Sequence, residues 1–281
     1  MKVFAAGLIL SIAAFAQAPV PLSSVFSSDL ARSLPHADSV PVSIDSVING
    51  ASLQAGIAGG SWVAIKGANL ANTNPGRIWR GDEIVNGNLP TALDGVSVTI
   101  NNKPAYVYYV SPTQINVQAP SDGSVGPVTV VVNNNGSMSP GGTAQMQTFA
   151  PAFFQFLPTA YAVATHPDFT LIANPAAVPG TVPAKPNDVL ILWGTGFGPT
   201  NPPVPAGTVV TGAPAVTTLP RITLNNSIDV PVISAVLTPS SAGLYQIAIQ
   251  LPGNTPTGDV TIQASVGGVQ SPATVKIFVA P

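Results

Sequence analysis

The chain has 281 residues, of which only 20 are Asp, Glu, Lys or Arg (7%), with a net charge of −2, 30 prolines, 26 glycines and no cysteine. An average soluble domain is about 25% charged, and no basic cluster is present here, which excludes partners that are bound by neutralising phosphates: nucleic acid and anionic lipid. The lack of cysteine removes disulfides, thiolate nucleophiles, thiolate metal ligands and a lipoprotein attachment thiol together.

In chain order, Lys2 supplies one positive charge, Ala5 to Phe15 form an apolar run, and Ala14-Phe15-Ala16 ends it with small residues. This is the layout of a signal peptide over residues 1–16, cleaved after Ala16. The run is shorter than the roughly 20 apolar residues that span a bilayer, and no later stretch reaches that length, so no transmembrane anchor is predicted. The expected address is secreted or extracytoplasmic: periplasm, cell surface or medium. Residues 17–43 read as a linker or docking arm, with one helix-like stretch from Ser28 to Ser33 that Pro35 ends.

Beyond that arm, proline and glycine recur too often for long helices. Between them lie short runs with period-two alternation, such as Val96-Ser97-Val98-Thr99-Ile100 and Val260-Thr261-Ile262-Gln263-Ala264. Asn101-Asn102-Lys103 and Gly267-Gly268 supply turns where positive φ is tolerated. Many short strands with frequent turns predict an all-β sandwich architecture.

An internal repeat sets the number of sandwiches. Gln114-Ile115-Asn116-Val117-Gln118-Ala119-Pro120 returns 132 residues later as Gln246-Ile247-Ala248-Ile249-Gln250-Leu251-Pro252, and 10 of the 27 pairs from Gln114 to Pro140 are identical. Upstream, Ser61 to Leu70 aligns with Asp188 to Phe197 at an offset of 127. Two copies of one strand order predict two tandem immunoglobulin-like domains, 44–150 and 151–281, meeting near Pro151.

The same strings carry a family resemblance. A strand followed by Gly67-Ala68-Asn69-Leu70, or by Gly194-Thr195-Gly196-Phe197-Gly198-Pro199, resembles the start of TIG-like immunoglobulin domains. Ile48 to Leu53, Leu93 to Val98, Tyr109 to Pro120 and Trp193 to Pro199 are similar to a C-terminal module of exported acidobacterial (Solibacter-type) proteins. The resemblance covers about Ile44 to Val279 and implies a tandem TIG-like sandwich usually appended to larger exported proteins. That family offers no catalytic residues to carry over.

Candidate chemistries can be tested one by one. His36 and His166 lie in different segments, and His166-Pro167-Asp168 offers two ligands where a metal site needs three or four. Gly59-Gly60-Ser61-Trp62-Val63 lacks the trailing glycine and following helix of a nucleophile elbow, so Ser61 reads as structural. Gly194 to Gly198 lacks the Lys-Ser/Thr ending and helix of a phosphate loop and reads as a turn. Asp122-Gly123 supplies too few oxygens for calcium. Asp82, Glu83 and Asp94 are the least poor carboxylates for a hydrolase. Trp62 and Trp193, on equivalent strands, read as core residues. No enzyme activity, cofactor or metal is expected.

One stretch stands apart. Arg77-Ile78-Trp79-Arg80-Gly81-Asp82-Glu83 holds four of the 20 charged residues around a tryptophan, in a long connection. Trp and Arg are the residue types most enriched where proteins bind tightly. Arg77, Trp79, Arg80, Asp82 and Glu83 are therefore the expected contact residues. The competing reading has Trp79 plugging the open end of the first domain while the arginines pair with Asp82 and Glu83. The expected function is a non-enzymatic adhesion or assembly module with a protein or glycan partner outside the cytoplasm. The alternative is carbohydrate binding through the Trp79 loop.

Overall fold

The computed structural model describes residues 41–281. The expected signal peptide, His36, the Ser28–Ser33 stretch and most of the 17–43 arm lie outside the described residues. The last residues of that arm belong to the first sandwich: Val42 is buried in its core, and the Pro41 carbonyl accepts a hydrogen bond from Asn69 Nδ2 at 3.1 Å.

The described chain is all-β. One sheet of the first sandwich runs Ser43–Asn49, Trp62–Ala68, Gln114–Gln118, Tyr106–Val110, Arg77–Ile78. Its facing sheet runs Ile57–Ala58, Gly142–Gln147, Gly126–Asn134, Val96–Ile100, Ala92–Leu93, with Ser137–Met138 and Lys103–Pro104 as hairpin partners. Alternate residues point inward, so Val96, Val98 and Ile100 meet Val63, Ile65, Ile115 and Val117 in one core. Each such side chain removed from water contributes about 1.5–3 kcal/mol.

The second sandwich repeats the plan. Its larger sheet centres on Val189–Thr195, Tyr245–Gln250 and Val232–Leu237, and its smaller sheet on Arg221–Leu224, Gly258–Val266 and Lys276–Val279. Leu190, Leu192, Ile222, Ile247, Ile249, Val260 and Ile262 lie in its core.

The repeat preserves register as well as order. Val63 stands opposite Val117, and the positions matched to them, Leu190 and Ile249, stand opposite each other. Val132 N–H donates to Ser139 Oγ and Ser139 N–H returns to the Val132 carbonyl; Ala264 and Ser271 make the same pair of bonds. Both sandwiches carry a bulge in the same strand, between Val107 and Tyr109 and between Val232 and Ser234.

Candidate functional site

The Trp79 loop begins at Gly76, whose φ of +113° and lack of a side chain are both required, because a Cβ there would collide with Tyr109 and Ser111. Arg77 and Ile78 then pair with Val110 and Tyr109 at the sheet edge, and Trp79 N–H donates to the Tyr108 carbonyl at 3.0 Å. A single 3-10 turn, Gly81–Glu83, follows.

Arg77 is saturated by two carboxylates. Its Nη1 and Nη2 donate to Glu83 at 2.9 and 2.8 Å, and its Nε and Nη2 donate to Asp94. Thr73 Oγ1 donates to Asp94 as well, at 2.7 Å, and Arg80 N–H donates to Glu83 Oε2 at 2.6 Å. These bonds hold the carboxyls of Glu83 and Asp94 down at about 2 and raise the Arg77 guanidinium. A general acid needs the opposite shift, so neither carboxyl can deliver a proton near neutral pH. Of the loop's charged side chains, only Arg80 and Asp82, 63% and 77% exposed, project fully into solvent.

Trp79 is half-buried. Its ring meets Tyr108 edge-on at 4.6 Å and lies 6.0 Å from Trp62. Through these rings the loop reaches a third apolar cluster, between the sandwiches, that includes Trp62, Leu89 and Tyr108 from the first and Phe154, Ala242 and Leu244 from the second.

Trp62 and Trp193 are both buried, but they point away from the cores of their own sandwiches and into this junction cluster. Polar groups within the junction are paired. Trp62 Nε1 donates to the Ala242 carbonyl at 2.9 Å, and Trp62 N–H donates to Thr195 Oγ1 at 3.0 Å. Thr195 Oγ1 donates onward to the Gly243 carbonyl. Gln118 bridges the sandwiches, donating to the Gly60 carbonyl and accepting from Gly207 N–H at 2.8 Å. Leu89 N–H to Gly207 O and Val209 N–H to Gly87 O add a short stretch of ladder, both at 2.8 Å. Gly207 admits no side chain, because its Cβ would sit 2.0 Å from the Tyr106 ring. A contact this buried and with these polar groups paired fixes one sandwich against the other.

Beside the junction a cleft of about 310 Å³ opens between the sandwiches. The first contributes Gly59, Gly60 and the segments 121–125 and 146–148, and the second contributes 198–200, 203–206, Thr208 and Tyr245. Sequence reading missed this cleft, since its glycines and serines look like ordinary turn residues there.

The remaining candidates resolve simply. Ser61 is fully buried, with Oγ donating to the Ala58 carbonyl and accepting from its N–H. His166 Nδ1 lies 3.9 Å from Asp188, while Asp168 turns to Thr170 N–H. Among the described residues no group of three or more His, Asp or Glu is placed to hold a metal. Gly194 and Gly196 let the segment from Ala150 to Ala152 pass closely, since a Cβ on either would strike its carbonyls. Asp122 accepts from Ser124 N–H at 3.0 Å and from Asn101 Nδ2. No helix among the described residues is long and apolar enough to cross a membrane.

Residues 46–150 match the IPT/TIG domain. No curated protein matches the chain. Among solved structures, the plexin A4 extracellular region is 13% identical over 87% of this chain and 19% of that one, with a TM-score of 0.25. The surface glycan-binding protein PbSGBP-B from Prevotella bryantii is 12% identical over 84% of this chain and 41% of its own, with a TM-score of 0.25. Domains 5–6 of the S-layer protein SbsC are 12% identical over 85% of this chain and 98% of that one, with a TM-score of 0.26. The chain thus spans less than half the length of the first two. At such TM-scores the likeness says nothing about what this chain binds.

Proposed function

We propose that the chain is a non-enzymatic, exported interaction module of the Solibacter type, acting in adhesion or assembly in the periplasm, at the cell surface or outside the cell. Its domains are 44–150 and 151–281, behind a cleaved signal peptide. The observation that carries this reading is the paired, buried junction, which sets the loops of two sandwiches at fixed spacing so that one partner can meet both without an ordering cost. The weakly charged surface suits an uncharged or protein partner.

Within this reading the partner meets the outward edge of the Trp79 loop. Arg80 and Asp82 make the contact, while Arg77 and Glu83 hold the loop in shape behind them. Cross-linking on intact cells tests this: a recovered protein neighbour that is lost in Arg80→Ala/Asp82→Ala supports it, and no neighbour with a monomeric, unattached chain overturns it. The second reading, carbohydrate binding at the same loop, draws on Trp79 being only partly buried. A glycan array on the mature protein decides it, since binding unchanged by Trp79→Ala rejects that site.

A further inference from the structure

We infer that the cleft between the two sandwiches is a binding site for an uncharged sugar residue, separate from the Trp79 loop. The inference rests on the reading of this chain as a binding module. It adds a second site with its own ligand chemistry.

The cleft is lined by apolar and by uncharged polar side chains. Buried Met146, Ala206 and Leu237 and half-buried Val204 line it together with the exposed rings of Pro199 and Pro203. The hydroxyls of Ser121, Thr148 and Thr208 and the amide of Gln147, which also line it, make no hydrogen bond to the described chain. Hydroxyl and amide groups both donate and accept, as sugar hydroxyls do, while the C–H faces of a sugar ring suit the apolar lining. About 310 Å³ sits at the lower end of the roughly 300–1,000 Å³ of small-molecule sites, which favour domain interfaces.

Charge narrows the ligand class. Among the described residues Asp122 is the only charged one lining the cleft, and its bonds from Ser124 keep the carboxyl below the usual range. A phosphate, sulfate or uronate would meet that carboxylate, and no lysine or arginine among the described residues lines the cleft; Lys103, which acts on Asp122 at a distance, stands outside it. A proline-rich peptide would want exposed aromatic faces, but the one aromatic among the described lining residues, Tyr245, is buried and its hydroxyl donates to the Gly198 carbonyl.

The back of the cleft is preformed. A Cβ on Gly243 would come 2.6 Å from Gln118 Nε2 and 2.7 Å from the Gly60 carbonyl, so backbone lines the wall where a side chain would not fit. The junction that holds the sandwiches together also holds the cleft open, which lowers the ordering cost of binding.

The test screens the mature protein on an array of neutral gluco-, xylo- and galacto-oligosaccharides beside oligogalacturonides and proline-rich peptides, with calorimetry on the best hit. A neutral saccharide is expected to bind, with affinity reduced at least about tenfold by Gln147→Leu and by Ser121→Trp. Arg221→Ala, on a distant strand, should leave it unchanged, and thermal melts of each variant report folding. The proposal is overturned if no neutral saccharide binds, if anionic sugars or peptides bind in preference, or if the hit is insensitive to both cleft variants. A protein neighbour recovered by cross-linking would survive any of these failures, so the two readings fail separately.

Discussion

At matched positions of the two sandwiches, Trp62, Tyr108 and Gln118 are buried in the first, whereas Val189 is half-buried and Ile233 and Gln250 are exposed in the second. The strands carrying them pair in the same register, and Tyr108 and Ile233 both sit at the bulge. The cores therefore do not explain the difference. The second sandwich covers the outer face of the first sheet at Trp62, Tyr108 and Gln118, whereas among the described residues the positions of Val189, Ile233 and Gln250 lack such cover, and only the Trp193 end of that face is buried in the junction cluster. The covering piece is itself a departure from the repeat. The hairpin between Tyr106–Val110 and Gln114–Gln118 has a three-residue connection, while its counterpart, residues 238–244, has seven and carries the Ala242 and Gly243 carbonyls that receive the junction bonds. The two repeated frameworks are held as one unit by the longer hairpin and the aromatic residues beneath it.

The largest test of this contrast is Trp62→Ala against Val189→Ala. Removing a buried indole together with its bond to Ala242 should cost about 3–5 kcal/mol and expose the junction to protease. The valine is half-buried, and its truncation should cost about 1 kcal/mol. Urea unfolding measures both, and equal losses would break the comparison. Next in size is Gln118→Ala against Gln250→Ala. The first leaves the buried Gly207 N–H and the part-buried Gly60 carbonyl without partners, at about 1–3 kcal/mol. The second removes an exposed side chain and should stay within about 0.5 kcal/mol.

Much of the framework was legible because it is local and periodic. The offsets of 127 and 132 already implied that Val63/Val117 and Leu190/Ile249 are matched pairs, and the strands bear this out. A further match, Thr99-Ile100-Asn101-Asn102 with Thr223-Leu224-Asn225-Asn226, was available but is too short to notice without its structure. Asn101 and Asn225 both turn through positive φ and donate their N–H groups to Thr129 and Thr261. The junction was not legible in this way. Trp62 and Ala242 are 180 residues apart, and a tryptophan alternating on a strand has the same pattern whether it faces its own core or a neighbour. The charge pairing around Arg77 was foreseen in part. Asp94, eleven residues beyond Glu83, joined it through the fold and could not be inferred from spacing.

That pairing gives the third contrast, in pH dependence. The carboxyls of Glu83 and Asp94 fall from ordinary values of 4.5 and 3.8 to about 2 on folding. A carboxyl depressed in the folded state stabilises it above the unfolded value and loses that contribution as pH falls through the folded one. Acid should therefore weaken the first sandwich between about pH 4.5 and 2. Arg77→Ala should remove about 1 kcal/mol at pH 7, a modest figure because solvent screens the network, and should flatten this acid limb. Arg221→Ala, which breaks a solvent-exposed pair with Asp229 in the second sandwich, should leave the unfolding midpoint where it is.

The smallest effect concerns the lengthened hairpin itself. Thr238 stands at its base, 4% exposed, and its Oγ1 is a buried side-chain polar atom without a hydrogen-bond partner among the described residues. Its backbone N–H is already bonded to the Leu244 carbonyl, so the hydroxyl contributes nothing to holding the turn. Burying an unpaired hydroxyl costs about 1–3 kcal/mol by mutational measures. Thr238→Val keeps the shape and removes that cost, so the variant should be more stable by up to about 1 kcal/mol in urea unfolding. A loss of stability would mean that Oγ1 bonds a water or a partner group, and that the docking hairpin depends on it.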